Sequence, residues 1–309
     1  MRCVVVGGGG FIGSHLCEAL LAAGHEVTVF DREEAPNLNR LKQKGVILSI
    51  GNFFNPQDLQ SSLQNQDAIF HLLSTTVPQT SNEDPAYDVE TNVIGTLRLL
   101  EEARKARIKK VILASSGGTV YGIPQEIPIK ESHPTDPTCS YGITKLAIEK
   151  FLHLYWILYG LDYCILRLAN AYGERQRPTA TQGVIPVFLE KALRNHEITV
   201  WGDGSVMRDY VFVTDIASAL VKALTYSGEM KIFNVGSGQG HSLRELIHVI
   251  EGVTGRPLKV KYTAGRSFDV PISILDVSRA KNYLNWMPTI SLFEGIAHMY
   301  AWMLKEHES

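Results

Sequence analysis

The stretch Tyr141-Gly142-Ile143-Thr144-Lys145 sets a phenol and an ammonium four residues apart. Residues at that spacing share one face of a helix, so both side chains can enter the same pocket. A phenol with an ordinary pKa of about 10 is a poor base at neutral pH. A neighbouring ammonium, helped by the positive ring of an oxidised nicotinamide, favours the phenolate. Tyr141 would then accept a hydroxyl proton as hydride leaves for the nicotinamide, with Lys145 tuning it. Any amphipathic helix can carry a surface Tyr and Lys at this spacing, so the pair needs a cofactor site in front of it.

The first residues supply one. Cys3-Val4-Val5-Val6 reads as a short strand, and it runs into Gly7-Gly8-Gly9-Gly10-Phe11-Ile12-Gly13 before a helical stretch from Ser14 to Leu21. Gly7, Gly10 and Gly13 form a G-x-x-G-x-x-G variant of the dinucleotide-binding turn, with Phe11 and Ile12 inside it. The glycines let the backbone approach a pyrophosphate, whose charge rests on the free N–H groups of the helix start. Glu26 to Arg32 is a second strand ending in Asp31, 18 residues beyond Gly13, close to the roughly 20-residue offset of the carboxylate that holds the adenosine ribose. A carboxylate there repels a 2′-phosphate, so NAD is expected rather than NADP. Arg32 tempers this, because an arginine nearby could accept that phosphate.

Further strands are predicted at Val46–Ile50, Asp67–Leu73 and Lys109–Ser116, with helical spacing over Asp58–Leu63 and a long amphipathic stretch from Tyr87 to Arg107. Strands alternating with helices imply an α/β, doubly wound parallel sheet whose ligands gather at the carboxyl ends of its strands. Asp31, Asn52 with Phe53, Leu72 with Ser74, and Ser115 follow successive strands, and with Asn92 and the glycine turn they are candidate cofactor contacts. Beyond Gly173 the elements shorten. Arg208–Val213 and Lys231–Gly236 are strand-like, the second returning to the sheet, and Ser242-Leu243-Arg244-Glu245 matches a capping box opening a helix to Gly252. The expected organisation is a cofactor domain over 1–173 and a smaller, less regular substrate domain over 174–309.

The 309 residues, 45% hydrophobic and 20% charged with net charge -2, describe a globular chain with no reason to meet nucleic acid or a membrane surface. Val4–Val6 is too short for a signal-peptide core, and no window reaches the roughly 20 apolar residues of a bilayer span. Cys3, Cys17, Cys139 and Cys164 are scattered, without C-x-x-C or histidine clustering, so no metal is expected. Cys3 and Cys164 read as buried thiols in strands, which points to a reducing, cytoplasmic setting.

In these motifs the chain resembles the extended short-chain dehydrogenase/reductase family, particularly its nucleotide-sugar 4-epimerases and dehydratases. The resemblance runs almost end to end. It takes in the glycine turn, Asp31, Phe70-His71-Leu72, Asn92-Val93-Ile94-Gly95-Thr96, Ser115 to Gly122, Tyr141 to Lys145, Arg167 to Gly173, Arg208-Asp209-Tyr210 and Arg266 to Pro271. It implies a Rossmann-type fold, with Tyr141 as catalytic base and acid and Lys145 also holding the nicotinamide ribose. Asn170 would contact a substrate diphosphate, and Val184 and Trp201 would border a uridine. Arg208 and Arg266 would clamp the diphosphate in bidentate fashion, and Asp269 would hold the nucleotide's ribose.

One position departs from the family's pattern. A Ser or Thr that hydrogen-bonds the sugar hydroxyl is expected where this chain has Gly117, which leaves Ser116 or Thr119 to reach across, or Tyr141 to work alone. The Asp-Glu pair of the dehydratases falls on Gly118 and Thr119, so loss of a hydroxyl is not expected, and neither is decarboxylation. Epimerisation of a UDP-hexose at C4 remains, through a 4-keto sugar that returns to the same cofactor. Ser273 falls where related epimerases carry either a bulky Tyr or a small residue beside the C2 substituent, so UDP-GlcNAc and UDP-GalNAc would fit. A UDP-uronic acid epimerase and a non-catalytic NAD-sensing protein stay open as alternatives. The helix over Ala147–Tyr159 is apolar nearly all round, so it is either a buried core helix or, with the Asn92 helix, the face of a homodimer.

Overall fold

The computed structural model describes residues 1–178, 183–265 and 270–308. Up to residue 168 it runs β1 (Arg2–Val6), α1 (Phe11–Ala22), β2 (Glu26–Asp31), α2 (Leu38–Gln43), β3 (Ile47–Ile50), α3 (Pro56–Leu63), β4 (Ala68–His71), α4 (Pro85–Asp88), a π-helical turn (Val89–Ile94), α5 (Gly95–Lys105), β5 (Lys110–Ser116), α6 (Ser140–Tyr159) and β6 (Asp162–Leu168). Then come β7 (Asn170–Tyr172), α7 (Val184–Leu193), β8 (Ile198–Trp201), β9 (Met207–Phe212), α8 (Val213–Thr225), β10 (Ile232–Val235), β11 (Gly240–Ser242), α9 (Leu243–Thr254), β12 (Val260–Thr263), β13 (Ile272–Ser273), α10 (Ser278–Leu284) and α11 (Leu292–Glu308).

Seven strands form one parallel sheet in the order β10-β6-β5-β4-β1-β2-β3. The apolar run of β1 explains its place at the centre. Val4 and Val6 point to one face, with Phe30, Leu59, Leu99 and Ile148, while Cys3 and Val5 point to the other, with Leu16, Leu20, Leu220 and Phe233. A strand buried on both faces has no polar alternation, which is how β1 reads in sequence. The strand near 231–236 lies parallel to β6, pairing Phe233 with Leu166. A third apolar cluster, including Phe188, Leu189, Leu246, Ile250 and Met299, packs α7, α9 and α11 together.

Three local expectations meet the structure differently. The stretch from Tyr87 to Arg107 is not one amphipathic helix: α4 starts at Pro85, a π-helical turn follows, and α5 begins only at Gly95. A Cβ at Gly95 would lie 2.5 Å from the Phe53 ring, so this helix comes closer to the β3–α3 loop than a side chain permits. The capping box is present, with Ser242 accepting from the Glu245 N–H and the Glu245 carboxylate accepting from that of Ser242, but the helix runs on to Thr254 and the left-handed Gly255. Finally, α6 is two-faced rather than core throughout. Ile148 and Leu152 are buried, whereas Leu154, Trp156, Leu158, Tyr159 and Ile157 (61% exposed) face outward. The apolar pattern is real, but nothing among the described residues covers the outer half of it.

On its buried side α6 is tied to the sheet by charge. Arg167 on β6 and Glu149 on α6 are 3% and 2% exposed, with Nη2–Oε2 at 2.6 Å and Nε–Oε1 at 3.1 Å. Removing one partner of such a pair leaves the other charge buried and unpaired, which typically costs about 3–5 kcal/mol. Glu149→Ala is therefore expected to lose stability of that order in urea unfolding. A loss below about 1 kcal/mol, the range of a surface ion pair, would mean that the pair does not anchor the helix.

Candidate active site

The glycine turn is built by close approaches. Gly7 has a left-handed φ of +83°, and a Cβ there would lie 2.9 Å from the Leu73 nitrogen. At Gly13 a Cβ would collide with the Gly7 carbonyl oxygen. Ser14 N–H to Gly10 O, at 3.0 Å, is the first helical bond of α1. The N–H groups of Phe11, Ile12 and Gly13 thus head the helix, where an anion is best placed. At the end of β2 the Asp31 carboxylate accepts from the Gly9 and Arg32 N–H groups, both at 2.9 Å. Burial pushes its pKa up and these two donors oppose the shift. Asn37, not singled out by its sequence, donates to Gly9 O at 2.9 Å and braces the turn from outside. A bare helix start beside a fixed carboxylate fits a dinucleotide; bound NAD supplies the hydride acceptor and donor.

Beyond β4 the chain brings in Tyr141 and Lys145. The Ser74 hydroxyl donates to Thr76 O at 3.1 Å and lies near enough to the Tyr141 phenol to act on its pKa, and Lys145 Nζ lies 5.6 Å from the Tyr141 ring centroid while donating to Ala114 O at 3.1 Å. The electrostatics differ from the expectation that the ammonium lowers the phenol. Burial pushes Tyr141 up to about 12, the charges of Cys139 and Asp88 add to this, and Ser74 only partly opposes it. Burial also brings Lys145 down to about 8, against the supporting charges of Asp88 and Glu149. With the ammonium over the ring and both groups taken out of water, desolvation outweighs attraction.

Several expected contacts are spent inside the protein. The Ser115 hydroxyl donates to Glu149 at 2.5 Å. The Asn92 carboxamide is engaged by Thr75 and Asp88, and Phe53 is buried and stacked on His71. Asn52 accepts from the Phe54 N–H in its own loop, Arg32 is exposed, and Leu72 continues the β4 ladder onto Val6. Around Gly117 the Cβ direction is filled by Leu275, 2.5 Å away, whereas a Cβ on Gly118 would meet only Asn170 Oδ1 at 3.7 Å. Thr119 packs its carbonyl against Gly142, and its Oγ1 is buried with no hydrogen-bond partner among the described residues. Ser116 is half-buried.

On the substrate side, Arg208 lies on β9 in register with Ser273 of β13, and Ser273 is buried. Asn170 opens β7, Val184 opens α7, and exposed Trp201 ends β8. Arg266 and Asp269 lie outside the described residues. Sequence reasoning missed Ser81, Asn82 and Asp88, which hold the start of α6; they belong to no motif.

The fold and site define a Rossmann-type, NAD-binding enzyme of the extended short-chain dehydrogenase/reductase kind. The NAD dependent epimerase/dehydratase family matches residues 3–236. The UDP-glucose 4-epimerase of Mycolicibacterium smegmatis is 40% identical over 302 residues, 96% of each chain. A UDP-glucose 4-epimerase from Thermotoga maritima, solved with UDP-glucose, superposes with a TM-score of 0.92 at 34% identity, covering 99% of this chain and 100% of that one. One from Thermus thermophilus, in complex with NAD, gives 0.91 at 33% identity, covering 98% and 99%. The chain belongs to the NAD-dependent epimerase/dehydratase family; it is an isomerase and its cofactor is NAD.

The clash at Gly13 makes a direct prediction. Gly13→Ala must push the Gly7 carbonyl out of the turn, so the purified variant is expected to carry at least about tenfold less extractable NAD than the parent chain, about 1.4 kcal/mol of binding. Equal nucleotide content would mean that the turn does not carry the cofactor.

Proposed function

We propose that this enzyme inverts C4 of a UDP-sugar with a cofactor that is returned to its starting state in each turnover. The observation that carries the reading is Lys145 Nζ 5.6 Å from the Tyr141 ring centroid, on the helix that borders the end of β4, whose following residues Leu72 and Leu73 press on Gly7 of the glycine turn. Tyr141 takes the C4 hydroxyl proton at its phenol oxygen and gives it back after the keto sugar has turned over. Lys145 supports the developing phenolate, and the buried, unpartnered Thr119 Oγ1 is the hydroxyl that stands in for the residue missing at Gly117. Gly118 and Thr119 bring no acid to protonate a departing hydroxyl, which argues against dehydration.

In this reading residues 1–173 with β10 hold the cofactor and 174–309 hold the nucleotide sugar. Asn170, Arg208 and Arg266 serve the diphosphate, Val184 and Trp201 border the uridine, and Asp269 takes its ribose. Buried Ser273, in register with Arg208, leaves room for an N-acetyl group at C2, so UDP-GlcNAc is accepted beside UDP-glucose. Three buried free thiols suit a reducing cytoplasm.

The test is incubation with UDP-glucose, UDP-GlcNAc and UDP-glucuronic acid in separate samples without added cofactor, followed by NMR of the sugar. Inversion at C4 of the first two is expected. Tyr141→Phe should abolish it, and Thr119→Ala should slow it about tenfold or more while Ser116→Ala stays within about twofold. A preference of about a hundredfold for UDP-glucose over UDP-GlcNAc, about 2.7 kcal/mol, would overturn the role of Ser273. Inversion of the glucuronic acid alone would move the assignment to a uronic acid epimerase, and no inversion of any would overturn it.

The outer face of α6 supports a second copy as partner. Leu154, Trp156, Ile157 and Leu158 are exposed on the last turns of α6, and Arg104 of α5 lies over the Tyr159 ring at 5.2 Å. Large apolar side chains gathered on an exposed helix end are a common mark of a protein–protein contact. Sedimentation should give a dimer, and Ile157→Glu with Leu158→Glu should give a folded monomer; a monomeric parent chain would refute the pairing.

A further inference from the structure

We propose that Asp88, the last residue of α4, is a positioning residue that fixes the first turn of the catalytic helix and thereby the Tyr141 phenol. The proposal rests on the epimerase reading for its kinetic readout, and on geometry for its argument. Asp88 is 0% exposed, yet its carboxylate has a full set of partners. One oxygen, Oδ1, accepts from Thr76 Oγ1 at 2.5 Å and Asn92 Nδ2 at 2.8 Å, on the strand-end side. The other, Oδ2, accepts from Ser140 Oγ at 2.7 Å and Thr144 Oγ1 at 3.3 Å, both on α6 and flanking Tyr141. Thr144 shares its proton with Tyr141 O at 3.0 Å, so Ser140 is the donor wholly committed to Asp88.

Every one of these partners is acting as a donor, and they approach from two sides. Only a group with two acceptor oxygens can take both pairs at once; an asparagine offers one oxygen and turns an NH2 toward the other pair. The first turn of α6 has no cap of its own, since the Cys139 side chain makes none. Its exposed donors go instead to the segment that ends at Asp88: Ser140 N–H to Asn82 Oδ1 at 2.9 Å, and Tyr141 N–H to Ser81 Oγ at 3.0 Å. The π-helical turn begins directly after Asp88 and carries Asn92, four residues on, back to the same carboxylate. Such turns gather at functional sites because they re-aim side chains that a regular helix would place elsewhere.

The charge of Asp88 works in a different direction from its hydrogen bonds. The titratable groups facing it are Tyr141 and Lys145 of α6 and Cys139 before it, while its strand-side partners Thr76 and Asn92 are neutral. Glu149 acts on Lys145 from the following turn, and nearby His71 is kept neutral by burial and by Lys145. The Asp88 charge raises both the phenol and the ammonium. Removing it therefore eases deprotonation of Tyr141 and of Lys145. If charge were all that Asp88 contributed, its loss would speed the base step on the acid side; if it holds the helix, turnover falls in spite of the easier base.

Asp88→Asn in the NAD-bound enzyme separates the two. We expect kcat at the optimum to fall about tenfold or more, about 1.4 kcal/mol of barrier. KM for the UDP-sugar should stay within about threefold, and both limbs of the kcat–pH profile should move to lower pH. Ser140→Ala keeps the charge and removes one grip on the helix, so kcat should fall severalfold with the limbs in place. A folded Asp88→Asn with kcat within about twofold of the parent, or with unmoved limbs, overturns the proposal. If that variant does not fold, an unchanged kcat in Ser140→Ala overturns it. Should the parent chain invert no UDP-sugar, the epimerase reading fails separately. Hydrogen exchange then decides: the Ser140 and Tyr141 amides of the first turn must exchange about tenfold faster or more in Asp88→Asn and in Ser140→Ala, and unchanged exchange refutes the positioning role.

Discussion

The missing side chain at Gly7 is the constraint on which the rest depends. In the strand order β3-β2-β1-β4-β5 the winding reverses between β1 and β4, and ligands of such sheets lie in the crevice at that point. Here the crevice is closed at its base to atomic contact, with the β1 turn lying against the backbone of Leu72 and Leu73. Because these two strand ends touch, the polar run that follows β4 starts at the glycine turn. A side chain at Gly7 would part them and move Ser74, which acts on the Tyr141 phenol.

Given that contact, the chemistry is a balance between burial and charge. Tyr141 and Lys145 are taken out of water by the strand ends and by α6, which disfavours the charged form of each. The carboxylates behind them, Asp88 and Glu149, keep the ammonium charged, but Asp88 also opposes the phenolate. The protein residues alone thus leave the phenol a weak base. In the proposed reaction the oxidised nicotinamide ring would supply the remaining charge of the right sign, so proton removal by Tyr141 would be tied to the state in which hydride can be accepted.

The fold and the meeting of Tyr141 with Lys145 were legible in the amino-acid sequence, because both follow from local rules: β-branched runs between glycines, and a four-residue spacing on a helix. Asp31 was legible for the same reason, a fixed offset after a strand. What was not legible depends on where buried polar groups find partners. Asn92 and Ser115 have the residue types and positions of cofactor contacts, yet Asp88 and Glu149 claim their side chains. Asp88 has no periodic or motif signature, since its value lies in four donors arriving from three separate segments. The outer face of α6 reads in sequence as either core or a subunit face, because apolarity alone does not tell the two apart.

The departure at Gly117 makes sense in the same terms. Its Cβ direction is taken by Leu275, whose backbone N–H is held by the buried Asp209 carboxylate at 3.3 Å. Leu275 packs with Val120, Tyr121 and Ile129 in a small cluster beneath the catalytic loop. The segment that carries Ser273 is therefore seated directly on the loop that carries Ser116 and Thr119. A hydroxyl at 117 would have to displace that contact. Glycine there allows a close join between the loop and the segment of Leu275. Thr119 is set on the other side of the loop against Gly142, with its hydroxyl oxygen buried and unpaired among the described residues.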